Sequence, residues 1–210
     1  MSEQQSSAKP RRLTAKGAAT RQRIIEAAAD LMHTQGVEFT SVDHVIEASG
    51  TGKSQVYHYF ADKTELVDAV VQAQVERVLA VQAPFFDDLH SMRGFERWRD
   101  AVVAGVRGRK GAHGCQVGSL ASELSDSSDS ARRGLEAGFD RWEGALRAGL
   151  ERMRESGELR SEANPAELAA GLLAALQGGY LLSQVRKDAR SMEIALDMAL
   201  ARIRADLTGA

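Results

Sequence analysis

The sequence predicts an all-α protein, with an N-terminal three-helix helix-turn-helix domain followed by a C-terminal helical domain. Three observations carry this reading. Prolines number only three in 210 residues and aromatics make up 5%, while Ala, Leu, Arg and Glu abound, a balance that favours helix over strand. Apolar residues recur at steps of three and four along most of the chain. Glycines or capping side chains stand at the joints between those runs. With 43% hydrophobic residues, there is ample material for a buried core. The expected boundaries are a basic arm over 1–17, a helix-turn-helix domain over 18–62 and a second helical domain over 63–210, to which effector binding and dimerisation are assigned below.

The first helix is expected from Ala19 to Gln35, with Ile24, Ala28, Leu31 and Met32 as core residues and Gly36 as its stop. From Thr40 to Leu66 the punctuation is dense. Ser41 is placed to cap a short helix whose Val42, Val45 and Ile46 point inward, and Gly50 supplies the permissive backbone at its end. A second short helix begins near Thr51. It presents Lys53, Ser54, Gln55, Tyr57 and His58 outward, while Val56, Tyr59 and Phe60 fill a three-helix core. Asp62 and Glu65 form a capping box that opens the next helix. Two short helices joined by a tight glycine turn make a helix-turn-helix, whose second member enters the DNA major groove.

The order Thr40-Ser41-Val42, the alanine-rich helix before it, and Tyr57-His58-Tyr59-Phe60 followed by Lys63 and Leu66 closely resemble the DNA-binding domain of TetR-family repressors, over about residues 18 to 80. The resemblance implies double-stranded operator DNA as a partner. Lys53 and Gln55 carry the donors and acceptors that read base edges. Tyr57 and His58 donate to phosphates, as the resemblance implies for their positions, and Lys63 is a further phosphate contact. Ser54 shares their exposed face. Thr40, Ser41 and Thr51 fit either of two roles, phosphate contact or helix capping. Gly52 departs from the small hydroxyl residue often found there in the family, which removes a side-chain contact at that position.

A net charge of -2 conceals an uneven distribution. Lys9, Arg11, Arg12, Lys16, Arg21 and Arg23 precede the helix-turn-helix against the single acid Glu3. Such an arm either follows phosphates and an adjacent minor groove or serves as a solubilising tail. No apolar run reaches bilayer length and the opening residues lack a secretory hydrophobic segment, so a cytoplasmic location without membrane contact is expected. One cysteine excludes an intrachain disulfide framework.

Beyond residue 80, Phe95, Trp98, Val102 and Val106 mark a helix that the segment Gly108 to Gly114 ends. Val117, Leu120 and Leu124 mark a short one. Leu135, Phe139, Trp142, Leu146, Leu150 and Met153 line one face of a long helix from about Ser130 to Glu155, roughly 40 Å in length, stopped by Gly157. Asn164, Pro165 and Glu167 open a helix carrying Leu168, Leu172, Leu173, Leu176 and Leu181, interrupted at Gly178-Gly179. The last helix spans about Met192 to Leu207, with Leu196, Leu200, Ile203 and Leu207 on one stripe and Ile194, Met198 and Ala201 beside it. Two terminal helices this apolar exceed what one monomer face buries, so they are expected to pair with their symmetry mates in a homodimer. The TetR resemblance implies the same.

Cys115 is the residue with reactive chemistry. Arg109, Lys110 and His113 precede it and a helix begins at it, which predicts a stabilised thiolate; a ligand-lining or buried core role is the alternative. The segment Gly114 to Leu120, with Leu176-Gln177-Gly178-Gly179, resembles the TetR branch that includes electrophile- and acrylate-responsive repressors. Trp98, Phe139, Trp142 and Tyr180 are candidates to line a small-molecule effector pocket, or are core. Gly50 to Ser54 imitates a nucleotide-binding loop, but that motif needs a glycine where Glu47 stands. His33, His44, His58, His90 and His113 lack metal-ligand spacing and no catalytic set assembles, so no metal, cofactor or enzymatic activity is expected. The expected function is a TetR-type regulator, a repressor released from a palindromic operator by a small-molecule or thiol-reactive effector. The alternatives are an effector-independent DNA-binding protein and a thiol enzyme.

Overall fold

In the computed structural model, which describes residues 13–209, nine helices follow one another and no strand occurs among the described residues. They are α1 (Ala15–Gln35), α2 (Val42–Ser49), α3 (Lys53–Tyr59), α4 (Lys63–Phe86), α5 (Met92–Gly108), α6 (Gln116–Leu124), α7 (Asp129–Glu155), α8 (Pro165–Arg186) and α9 (Arg190–Arg204). Two compact units meet between Val67 and Asp68, a few residues beyond the expected boundary at 62, so α4 begins in one and ends in the other.

In the first unit, α1 starts at Ala15, four residues before the expected Ala19, because the Thr14 hydroxyl accepts from the Gly17 amide and caps it. Its core face is broader than expected: Ile25 and Ala29 are buried beside Ile24, Ala28 and Met32, while Leu31 is half-exposed. Val45, Val56, Phe60 and Leu66 complete the core. Ser41 caps α2 by accepting from the His44 amide at 3.1 Å, and Gly50 ends it in the left-handed conformation, φ 62°. At the start of α4, Asp62 accepts from the Glu65 amide, and the Glu65 carboxylate reaches back one residue further than a standard box, to the Ala61 amide. Two cations of the expected basic arm belong to this unit instead. Arg21 lies over the Phe60 ring at 5.1 Å, and Arg23 donates to the Ser49 carbonyl at 3.1 Å. Lys9, Arg11 and Arg12 lie outside the described residues.

In the second unit, α5 buries Phe95, Trp98, Val102 and Val106, and α7 buries Leu135, Trp142, Leu146, Leu150 and Met153, leaving Phe139 half-exposed. Where α7 meets the segment before α5, a Cβ on Gly149 would lie 2.2 Å from the Leu89 carbonyl oxygen, so only glycine permits that approach. Asn164 caps α8 by accepting from the Ala166 and Glu167 amides, with Pro165 at the first helical position. Contrary to expectation, Gly178-Gly179 does not interrupt this helix. Gly179 lets α9 come close instead, since a Cβ there would sit 2.7 Å from the Met192 sulfur, and the buried Ser183 hydroxyl accepts from the Met192 amide at 3.2 Å. The last helix ends at Arg204 rather than Leu207, which turns aside to form an isolated bridge with Leu159. Also unforeseen, α8 is long and apolar enough to cross a bilayer by length and composition alone. Its apolarity has a packing reason on one side: Leu168, Leu172, Leu173 and Leu176 are buried, and α8 packs against α7 and α9.

Candidate DNA-reading helix and effector cavity

On α3 the residues divide cleanly. Val56 and Phe60 hold the core, whereas Lys53, Ser54, Gln55, Tyr57 and His58 are exposed. The structure therefore brings together on one surface five of the nine residues expected at DNA. Ser41 is exposed too, its hydroxyl used as a cap. Lys53 reaches the Asp43 carboxylate at 3.4 Å in a solvent-exposed pair of little strength, so its ammonium is held near the turn without being consumed.

Thr40 and Thr51 stand apart from that surface and require a correction. Thr40 is 1% exposed; its hydroxyl donates to the Gly36 carbonyl at 2.8 Å and accepts from the Gln35 amide. Thr51 is 6% exposed and its hydroxyl is hydrogen-bonded to that of Ser49 at 2.7 Å. Neither caps a helix with its side chain, and both tie loop backbone to the core. Lys63 also has a duty the sequence did not reveal. Its ammonium donates to the carbonyls of Val37 at 2.7 Å and Glu38 at 3.1 Å, clamping the turn between α1 and α2 to the start of α4.

Gln55 is the most constrained of the exposed group. Gly52, at the N-cap of α3, has no side chain to receive the helix's orphan amides, and the Gln55 side-chain oxygen accepts the Gly52 N–H at 3.0 Å.

The second unit contains a cavity of about 340 Å³, within the range of small-molecule sites. Helix α4 supplies Arg77, Val78, Val81 and Gln82; the turn before α6 supplies Arg109, His113, Gly114, Cys115 and Gln116; α7 and α8 supply Trp142 and Tyr180. Of the five candidate effector residues, Cys115, Trp142 and Tyr180 converge here. Trp98 lies behind the wall, its indole N–H donating to the Gln82 side-chain oxygen at 2.5 Å, and Phe139 is not among the lining residues. The four residues from α4 were missed; Val78 to Val81 is a continuous apolar run, which does not separate cavity from core or solvent. Burial pushes the Tyr180 hydroxyl above its ordinary range, opposed by a hydrogen bond from Arg109.

Burial runs against the expectation of a stabilised Cys115 thiolate. Cys115 is 8% exposed, and burial pushes its thiol up, while the hydrogen bond from the Gly118 amide at 3.4 Å pulls the other way. The sulfur is the N-cap of α6, accepting from the Gly118 amide. Among the described residues no cluster of His, Cys, Asp and Glu could hold a metal ion.

A larger hollow of about 490 Å³ opens between α8 and α9, lined by Leu168, Gly171, Leu172, Met198 and Arg202 among others. The outward faces of these two helices carry most of the exposed large apolar side chains: Leu181, Leu182, Val185, Ile194 and Met198, with Val185 73% and Met198 71% exposed. Leu182 and Val185 were not anticipated, although the apolar steps of one and four from Leu181 carry that signal.

Comparison with known proteins agrees with this division. A family profile described as the tetracyclin repressor-like C-terminal domain matches residues 94–199, half of the chain, and one described as bacterial regulatory proteins of the tetR family matches residues 24–70. An uncharacterized HTH-type transcriptional regulator of Lactococcus lactis subsp. lactis is 27% identical over 181 residues, covering 85% of this chain and 90% of its own. The HTH-type transcriptional repressor DhaR of a Mycobacterium species is 22% identical, covering 82% and 86%. The crystal structure of a TetR-family transcriptional regulator from Cytophaga hutchinsonii superposes with a TM-score of 0.83 at 18% identity, over 95% of this chain and all of that one. With its helix-turn-helix, its exposed recognition helix and profile matches in both halves, this chain belongs to the TetR family of DNA-binding transcriptional regulators.

Proposed function

We propose that this protein is a homodimeric repressor that acts in the cytoplasm, binds a palindromic operator through α3 of each protomer, and is released by a small molecule bound in the second unit. The observation that carries the reading is the pairing of two solvent-exposed surfaces: the polar face of α3 and the apolar face of α8 and α9. A two-fold axis through the apolar face makes a self-complementary four-helix contact and presents two recognition helices to one duplex. Lys53 and Gln55 then serve base reading, Ser54, Tyr57, His58 and Ser41 serve phosphate contact, and any free donor of Lys63 adds to the latter. Thr40 and Thr51 support these from within.

The 340 Å³ cavity is the effector site in this reading. Its occupant lowers operator affinity by binding better to a conformer whose recognition helices do not match successive major grooves. An occupant that bound both conformers equally would release nothing. The thiol-enzyme alternative is disfavoured by the burial of Cys115.

The test is binding to the intergenic DNA beside the protein's own gene. One dimer per inverted repeat, with half-sites about one helical turn or 34 to 36 Å apart, is the expected result, followed by release in a small-molecule screen. A monomer at micromolar concentration, or equally tight binding to one half-site, would overturn the dimeric reading.

A further inference from the structure

We propose that Gln55 meets the major groove as a hydrogen-bond donor only, so that its base pair is chosen for an acceptor, N7 of a purine, rather than for the paired donor and acceptor of adenine. This rests on the assignment of α3 as the recognition helix. An unconstrained glutamine reads adenine with both ends of its amide, the oxygen accepting from N6 and the nitrogen donating to N7. Here the oxygen has a prior partner that fixes how the amide is turned, so that, although its second lone pair could accept, the group is held by its cap instead of lying free to meet adenine edge-on. The oxygen accepts the Gly52 N–H at 3.0 Å, and Gly52 has no side chain that could take over.

Two features keep the oxygen there on DNA. Helix α3 has only seven residues, so losing its one side-chain cap weakens a helix with few internal bonds to spare. In the groove, the Gly52 amide would also lose water, and an unpaired amide in a desolvated contact is more costly than one in solvent. What Gln55 retains for the base is its NH2. Lys53, two residues earlier, carries donors alone. The opening of the recognition helix is thus a donor array, complementary to guanine N7 and O6.

The experiment uses the full-length protein and a duplex selected by it from randomised DNA. The base pair at which Gln55→Ala loses selectivity identifies the contact. Replacing its purine by the 7-deaza analogue should weaken wild-type binding about ten-fold and leave the Gln55→Ala variant unaffected. If the purine is adenine, replacement by the analogue lacking the N6 amino group should change wild-type affinity by less than about two-fold. Gln55→Glu keeps an acceptor for the Gly52 amide but has no donor. It should melt like wild type while its preference moves to cytosine, whose N4 amino group donates. A wild-type requirement for the adenine N6 group would overturn the proposal, as would a Gln55→Ala base profile identical to wild type with affinity intact. Failure of the wild type to enrich any sequence would instead refute the assignment of α3 to DNA reading.

Discussion

The apolar face of α8 and α9 is tested most directly by Val185→Glu. Val185 is 73% exposed, so the substitution leaves the fold of one protomer untouched and acts on whatever covers that face. Fully burying a valine is worth about 1.5 kcal/mol or more, so burying the exposed part contributes about 1 to 2 kcal/mol per copy. A two-fold interface uses the residue twice, which makes the loss about 2 to 4 kcal/mol before the cost of desolvating two carboxylates is added. The dimer dissociation constant should rise about 30-fold to 1,000-fold. Sedimentation velocity across a concentration series reads this, with far-ultraviolet circular dichroism to show that helix content is retained. Phe39→Glu is the control: Phe39 is equally exposed, at 73%, but lies outside α8 and α9, and its variant should remain dimeric. A Val185→Glu protein with the wild-type dissociation constant would refute the assignment of this face to dimerisation.

Three other variants probe the remaining parts. Lys63→Ala removes two charge-assisted bonds to the Val37 and Glu38 carbonyls and should lower stability by about 1 to 3 kcal/mol in urea titration, and an unchanged midpoint would mean the clamp is incidental. Alkylation of Cys115 by iodoacetamide should be slow at neutral pH, and its rate should rise only at pH values above those at which a free thiol ionises, because burial favours the neutral form; reaction as fast as glutathione at pH 7 would contradict this. The same shift makes the thiol's contribution to stability complete below the unfolded pKa and lost as pH rises through the folded one. Gly149→Ala should destabilise by about 1 to 3 kcal/mol, read as a lower melting temperature, since the new methyl would meet the Leu89 carbonyl at 2.2 Å and backbone must move; a wild-type melt would show the approach to be slack.

Local chemistry was legible from sequence wherever it was self-contained. Ser41, Gly50, Asn164 and Pro165 perform the roles their types and spacings predict, because a cap or a left-handed residue acts within a few positions of itself. The five exposed residues of α3 were legible for the same reason: a seven-residue helix with one buried face assigns the rest to solvent. Lys63 was not, because its ammonium is taken by carbonyls some 25 residues away in sequence, brought in by folding. Thr40 and Thr51 differ: their hydroxyls find local partners, Gly36 and Gln35 for one and Ser49 for the other, but the burial that turns them away from DNA is set by tertiary packing.

Cys115 shows how a correct inventory of charges can give the wrong sign. Arg109, Lys110 and His113 do precede it, and a helix does begin there, yet the turn that carries them determines where their charges go. Lys110 and His113 take the left-handed backbone at φ 50° and 69°, with Gly111 and Gly114 at 71° and 47°. This path brings Gly111 so close to α8 that a Cβ would lie 2.3 Å from the Ser183 carbonyl. The thiol is turned inward against Gly118. Desolvation then exceeds the help from the helix start, since a single 3.4 Å amide contact to sulfur is weak beside the loss of water around a thiolate. What the turn builds in place of a reactive thiol is one wall of a cavity, with Arg109, His113, Cys115 and Gln116 facing Val78, Val81 and Trp142. If the proposed effector site is this cavity, the residues singled out for reactivity serve recognition there, and a buried thiol favours a reversible ligand over a covalent one.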